Sequence, residues 1–292
     1  MTINWYPGHM HKARREIKNA LPEVDVVIEI LDARLPYSSA NPMLASLARH
    51  KPILKLLSKS DLADPDITAE WVDYFDEQAN VSALPIITTD TKTLQPIANI
   101  CQQLATEVRE SRSVRALVIG IPNVGKSTLI NSLAGRKIAK VGNEPAVTKR
   151  QQKIQVGERL QITDTPGVLW PRIENKNSGY RLAASGAIRD TAMDYIDVGL
   201  WAADNLRLTY PDALIARYNL KQLPITGELL LTEIASRRGG LRAGGVVDLH
   251  RASEVLLHDL RGGQLGRITL EKPNDIFLEL EAEKLSNSDD SE

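Results

Sequence analysis

The stretch Gly120-Ile121-Pro122-Asn123-Val124-Gly125-Lys126-Ser127 constrains this 292-residue chain more than any other. It fits G-x-x-x-x-G-K-[ST], in which the glycines let successive backbone N–H groups turn inward around phosphate oxygens. The lysine adds a point charge at the β- and γ-phosphates, and the serine hydroxyl suits Mg²⁺. Context separates the match from an ordinary glycine turn. Ala116–Ile119 reads as a strand before it and Ser127–Asn131 as a helix after it, so a helix N-terminus faces the anion. The expected nucleotide contacts are Asn123, Val124, Gly125, Lys126, Ser127 and Thr128.

A second polar cluster, Asp164-Thr165-Pro166-Gly167, follows an apolar run at Leu160–Thr163, which pairs by pattern with Gln152–Val156. An aspartate there can hold the Mg²⁺ shell, and the Gly167 N–H can meet a γ-phosphate oxygen. The intervening polar loop offers Thr148, whose hydroxyl would complete the shell. The predicted metal set is Ser127, Thr148 and Asp164.

Before the phosphate loop, short apolar runs at Val24–Leu31, Pro52–Leu57, Leu84–Ile87 and Arg115–Ile121 alternate with helical patterns at Ala40–Arg49, Thr68–Gln78 and Leu94–Arg109. Near-continuous apolar runs bounded by polar residues are the mark of strands buried on both faces of a parallel sheet. The pattern predicts a doubly wound, mostly parallel α/β sheet, with ligands outside the carboxyl ends of its strands. From about residue 177 the periodicity turns helical, with Leu229, Leu230, Ile234 and Ala235, then Val246, Leu249, Ala252, Val255, Leu256 and Leu260, on inner faces.

One such strand ends in Ser58-Lys59-Ser60-Asp61. A carboxylate there can accept both N–H donors of guanine, while adenine would leave it desolvated and unpaired at a cost of about 1–3 kcal/mol. The Lys59 stem would cover the face of the base. Thr88 and Thr89, after the next strand, would position the guanine O6 through backbone groups. The base element therefore precedes the phosphate element, an inversion that circular permutation permits.

The order D-A-R, K-x-D, T-T, G-x-P-N-V-G-K-S, T, D-T-P-G resembles the YlqF/RbgA family of circularly permuted GTPases, which assist late assembly of the large ribosomal subunit. Trp5-Tyr6-Pro7-Gly8-His9-Met10 and Asp32-Ala33-Arg34-Leu35-Pro36 are similar to its N-terminal motifs. Arg237 through Leu270, including Gly244-Gly245-Val246-Val247-Asp248 and Leu265-Gly266-Arg267-Ile268, is similar to its C-terminal region. The likeness implies a circularly permuted P-loop GTPase domain with an N-terminal helical arm at 1–176 and a helical RNA-binding domain at 177–280. The acidic stretch 281–292 is expected to be a disordered tail. One position departs. Ser58 stands where the family has the asparagine that ties the base loop to guanine and to the phosphate loop, so weaker nucleotide affinity or guanine preference is expected.

The resemblance further implies GTP hydrolysis stimulated by the subunit. Val168 and Leu169 occupy the place of the water-orienting glutamine, and valine cannot hydrogen-bond water, so intrinsic hydrolysis should be slow. His9 is then the candidate to orient or deprotonate water beside the charge of Lys126, and Asn123 the candidate to help hold K⁺ against the phosphates. Alternatives are a nucleotide-gated RNA-binding module with little turnover and a P-loop ATPase in which S-K-S-D is accidental.

Charge decides where RNA would bind. With 36 Lys+Arg against 37 Asp+Glu there is no global cationic field, so any such surface is local. Arg237, Arg238, Arg242, Arg251, Arg261 and Arg267 cluster among glycines, a composition that suits phosphate oxygens but equally a solvated helix rim. The resemblance implies ribosomal RNA and proteins as partners beside GTP and GDP. No apolar run approaches the roughly 18–20 residues that span a bilayer, so no membrane partner, a cytoplasmic location and a monomer are expected. The lone Cys101 excludes a disulfide framework or a multi-cysteine zinc site. The chain enters the helical domain directly after Asp164–Leu169, so loss of the γ-phosphate should reorient that domain: GTP favours ribosome binding and hydrolysis favours release.

Overall fold

The computed structural model describes residues 7–48, 50–108, 112–136, 138, 152–165, 167, 173, 175–241 and 243–289, and for 7–13, 243, 284 and 286–289 the backbone alone. Two compact units emerge. One comprises Trp5–Ile173 with Glu271–Glu292, the other Glu174–Leu270.

The first unit is built on six strands: β1 (Val26–Asp32), β2 (Ile53–Ser58), β3 (Val81–Pro85), β4 (Val114–Gly120), β5 (Lys153–Val156) and β6 (Leu160–Asp164). Their order across the sheet is β3-β2-β1-β4-β6-β5. All neighbours are parallel except β5 with β6. Every residue of β1 is buried, which is why its sequence reads as an unbroken apolar run. Its mid-strand charge, Glu29, lies in register with Lys55 of β2, and the ammonium donates to the carboxylate at 2.6 Å. The expected strand at Leu84–Ile87 starts earlier, at Val81. It is the sheet edge, where half-buried residues replace the fully apolar run.

Helices α1 (Pro7–Ala20), α2 (Pro36–Ser39), α3 (Pro42–Ala48), α4 (Pro65–Asp76), α5 (Thr91–Leu94), α6 (Ile97–Leu104) and α7 (Lys126–Ala134) connect or cover the strands. Asp64 sets the start of α4 by accepting from the N–H groups of Asp66 and Ile67, with Pro65 in the first turn. The single helix expected over Leu94–Arg109 is divided between α5 and α6 at Pro96, which lacks the N–H a continuous helix requires. The chain leaves β1 toward β2 and β3, then crosses back past β1 to β4 and proceeds the other way. The ends of β1 and β4 are therefore the topological switch point where such sheets bind ligands.

The second unit contains α8 (Lys176–Ser185), α9 (Tyr195–Thr209), α10 (Pro211–Tyr218), α11 (Gly227–Arg238) and α12 (Leu249–Arg261). Leu182, Val198, Leu206, Leu214, Leu230, Ile234, Leu256 and Leu260 are buried within it. Leu229 and Val246, expected on inner faces, are exposed, and Leu231 and Leu257 are buried.

Beyond this unit the chain departs from the sequence expectation. The helical unit gives way at Leu270, not 280, and α13 (Pro273–Asp289) is helical through most of the stretch expected to be a disordered tail. Glutamate is a good helix former, and one apolar turn suffices to dock the element. Ile276 is buried with Leu31, Leu57, Trp71 and Phe75 of the first unit. Just before it, the Glu271 carboxylate accepts from the Tyr37 and Ser38 N–H groups at 2.5 and 2.9 Å and from the Ser38 hydroxyl at 2.5 Å. The Glu271 carbonyl takes the indole N–H of Trp71 at 3.0 Å.

Candidate nucleotide site

Five strand ends supply the site. β4 runs into the phosphate loop, whose last residue before α7, Gly125, has φ +93°. A Cβ at Gly125 would sit 3.1 Å from Cγ2 of Thr88, so the residue must be glycine both for its left-handed backbone and for its neighbour. Asn123 is also left-handed at φ +62°, a conformation asparagine tolerates. Ser127 and Thr128 are half-buried in the first turn of α7. Gly167 lies against the same loop: a Cβ there would be 3.3 Å from the Pro122 backbone, the close approach its predicted role requires.

Lys126 is 7% exposed. Its ammonium donates to the Thr165 carbonyl and lies 3.8 Å from the Asp164 carboxylate. Burial lowers the Lys126 pKa, and Asp164 offsets only part of that. The Thr165 hydroxyl donates to the Val118 carbonyl at 2.6 Å, fixing the end of β6 to the phosphate strand. Among the described residues no three His, Cys, Asp or Glu side chains group as a metal cluster. A serine hydroxyl with a nearby carboxylate fits a hard cation that keeps water and phosphate oxygens as its other ligands, the habit of Mg²⁺.

On the base side, Ser58 ends β2 and is fully buried. Its Oγ lies 2.8 Å from the Leu31 carbonyl and 2.6 Å from the Val124 carbonyl of the phosphate loop. Serine, though shorter than asparagine, still ties the base loop to the phosphate loop. Ser60 N–H donates to the Ile86 carbonyl at 3.2 Å, joining the ends of β2 and β3. Thr88 is half-buried against the phosphate loop, while Thr89 and Asp61 are exposed. The base and phosphate elements therefore touch, through Ser58 and Val124.

Sequence reasoning passed over Asp32 and Arg34 as site residues. Both are 2% exposed. Asp32 accepts from Arg34 N–H at 3.1 Å, Arg34 Nε at 2.9 Å, Arg34 Nη2 at 2.8 Å and Lys59 Nζ at 2.8 Å. Burial would raise the Asp32 pKa, but the charges and hydrogen bonds of Arg34 and Lys59 outweigh it and hold the carboxyl well below its usual range. Lys59 is itself left-handed at φ +57°, an uncommon state for a lysine. The available signal was a charged pair ending an otherwise apolar buried run.

The side chain of His9, on α1, lies outside the described residues, as do Thr148, Val168, Leu169 and Arg242. In the helical unit, Arg237 pairs with Glu233 and Arg251 with Glu254 at 2.9 Å. Arg238 donates to the Arg217 carbonyl at 3.1 Å, and Arg267 is exposed. Arg261 points inward instead: it donates to the carbonyls of Ala184 and Ala183 at 2.9 and 2.8 Å, closing the end of α8. A cleft of about 520 Å³ is lined by residues that include Tyr195, Arg217, Arg238, Arg251 and His258.

Comparison with known proteins bears on all of this. The family model described as 50S ribosome-binding GTPase matches residues 115–225, starting at β4, so that β1–β3 precede the matched segment. Ribosome biogenesis GTPase A of Priestia megaterium is 44% identical over 284 residues, 94% of this chain and 98% of the relative. Its namesake from Bacillus cereus is 44% identical over 289 residues, 96% and 97% of the two chains. The crystal structure of GNP-bound YlqF from T. maritima, 25% identical, superposes with a TM-score of 0.64 over 90% of this chain and 98% of that one. Two motifs in permuted order, joined through Ser58 and Val124, agree with these likenesses along nearly the whole sequence: the chain belongs to the ribosome biogenesis GTPase A (YlqF/RbgA) family.

Proposed function

We propose that this GTPase acts in the cytoplasm in late assembly of the large ribosomal subunit, which stimulates its hydrolysis of GTP to GDP and phosphate. The observation that carries the reading is the 2.6 Å contact of the Ser58 hydroxyl with the Val124 carbonyl, because it joins the segment assigned to the base with the segment assigned to the triphosphate. Asp61 accepts the guanine N1 and N2 donors, the Lys59 stem lies on the ring, and backbone groups at Thr88 and Thr89 meet O6. The amides from Asn123 to Ser127 and the Lys126 ammonium bind the phosphates, with the Gly167 N–H at the γ-phosphate. Ser127, Thr148 and Asp164 would hold Mg²⁺, which neutralises charge developing on the phosphates. Asn123 would help to hold K⁺ in the same role.

His9 orients the attacking water once the ribosomal partner engages the N-terminal segment, since Val168 offers no hydrogen bond. Arg237, Arg238, Arg242, Arg251 and Arg267 contact ribosomal RNA, a reading supported by the exposed position of Arg267 and by the arginines among the residues lining the cleft, where Asp190, Glu254 and Asp259 also lie. GTP favours the ribosome-bound state and hydrolysis favours release.

The test is GTP turnover with and without purified large subunits, for the parent and Lys126→Ala. Subunits should raise turnover in the parent. The variant, losing a charged hydrogen-bonding contact of about 2–3 kcal/mol, should turn over roughly 30- to 150-fold more slowly. Turnover indifferent to subunits, or ATP displacing GTP on equal terms, would refute the reading.

A further inference from the structure

Asp32 is saturated. A carboxylate has about four lone-pair sites, and four N–H donors, three from Arg34 and one from Lys59, fill them at 2.8–3.1 Å. It has no capacity left for a base, a metal or a water, so whatever it does, it does through its two cations. Those cations have another suitor. Asp61, exposed and two residues beyond Lys59, attracts both Arg34 and Lys59. Guanine recognition needs the Asp61 oxygens for the ring N–H donors, and an ammonium or guanidinium resting on them would compete directly.

The geometry keeps these demands apart. Asp32 and Ser58 are register partners at the ends of β1 and β2, so the Asp32 carboxylate stands beside the residue that begins the base loop. Lys59 leaves Ser58 in the left-handed conformation, and its ammonium ends on Asp32 Oδ2 at 2.8 Å. The backbone around it is pinned by Ala33 N–H on the Ser58 carbonyl at 2.8 Å and Leu62 N–H on the Lys59 carbonyl at 2.9 Å. With its stem fixed at both ends, Lys59 presents a static apolar edge. Arg34 is locked onto the same carboxylate by a bidentate pair.

We propose that Asp32 is a positioning residue for base selection: by sequestering Arg34 and Lys59 it leaves the Asp61 carboxylate open to guanine. Asparagine at this position would offer one acceptor oxygen and turn an NH₂ toward two cations, and both would swing to Asp61. The loss would fall on guanine binding and not on the triphosphate.

The test separates this role from a merely structural one, and also from failure of the guanine reading on which it rests. Asp61→Asn reverses the donor pattern: its amide N–H complements O2 of xanthine, and no carboxylate remains to capture the cations. GDP affinity of Asp32→Asn should fall at least about tenfold, the worth of one charge-assisted contact. XDP affinity of Asp32→Asn/Asp61→Asn should stay within about threefold of Asp61→Asn alone. Equal losses in both backgrounds would reduce Asp32 to a brace, and unchanged GDP affinity in Asp32→Asn would likewise overturn the proposal. A parent protein that does not bind GDP would instead overturn the guanine reading itself. Should Asp32→Asn not fold, Asp32→Glu, which keeps the charge but displaces it by a methylene, should weaken GDP binding and leave XDP binding to its Asp61→Asn form unchanged. Equal effects on the two nucleotides would again refute the role.

Discussion

Replacing Ser58 with alanine removes one hydroxyl that lies between the Leu31 and Val124 carbonyls in a fully buried position. The hydroxyl has a single hydrogen, so one bond is lost, not two, at a net cost of about 0.5–1.5 kcal/mol. Val124 is 1% exposed, so its carbonyl has poor access to replacement water, and that carries the cost toward about 1–3 kcal/mol. For a unit of this size each kcal/mol lowers Tm by about 2–4 °C, which gives a fall of about 2–12 °C. If the bond organises the pocket, GDP affinity should fall by up to the same free energy, about 5- to 150-fold. Thermal melts and fluorescence titration with a labelled GDP measure both quantities. A lower Tm with unchanged GDP affinity would show that the bond steadies the fold without arranging the site, and would refute the reasoning.

Gly125→Ala places a Cβ 3.1 Å from Thr88 Cγ2 at φ +93°; with about 1–2 kcal/mol of backbone strain alone, Tm should drop by at least about 2–8 °C. Thr88→Ser, which removes that methyl, should restore only part of the loss, and full restoration in melts would contradict the backbone argument. Cys101 is fully buried and its thiol is pushed up to about 12 by that burial. A folded-state pKa raised above the unfolded value near 9 gives stability that is complete below pH 9 and lost as pH rises from there toward 12. Denaturant melts should show this alkaline decline in the parent and a flatter one in Cys101→Ala, and a thiol reagent at pH 8 should react only after unfolding. Immediate reaction of the native protein would refute the burial.

The sheet and its inversion were legible because parallel strands buried on both faces leave unbroken apolar runs, and β1, β2 and β4 did so. β3 was displaced because an edge strand lacks that signature. The phosphate loop and the Asp164–Gly167 turn were legible because their chemistry dictates residue types at fixed spacing. Asp32 was passed over because one of its two partners, Lys59, comes from the neighbouring strand end: only the register of Asp32 with Ser58 brings it there. Arg261 looked like its neighbours on the helical unit, since nothing local distinguishes an arginine that closes a helix end from one that faces water. α13 was misjudged because acidic composition signals solvation over most of a helix, while a few apolar residues, Ile276, Phe277 and Leu280, pack it against the first unit.

That last helix has a consequence for biogenesis of the protein itself. Because residues 271–289 emerge from the ribosome only after the whole helical unit, Leu31 of β1 and Leu57 of β2 must wait for Ile276, and Ser38 of α2 for Glu271. The nucleotide unit is thus begun first and finished last, when the helical unit is already free to fold. Nascent chains stalled before Glu271 would carry every nucleotide-binding motif without the packing that steadies the base-side strands.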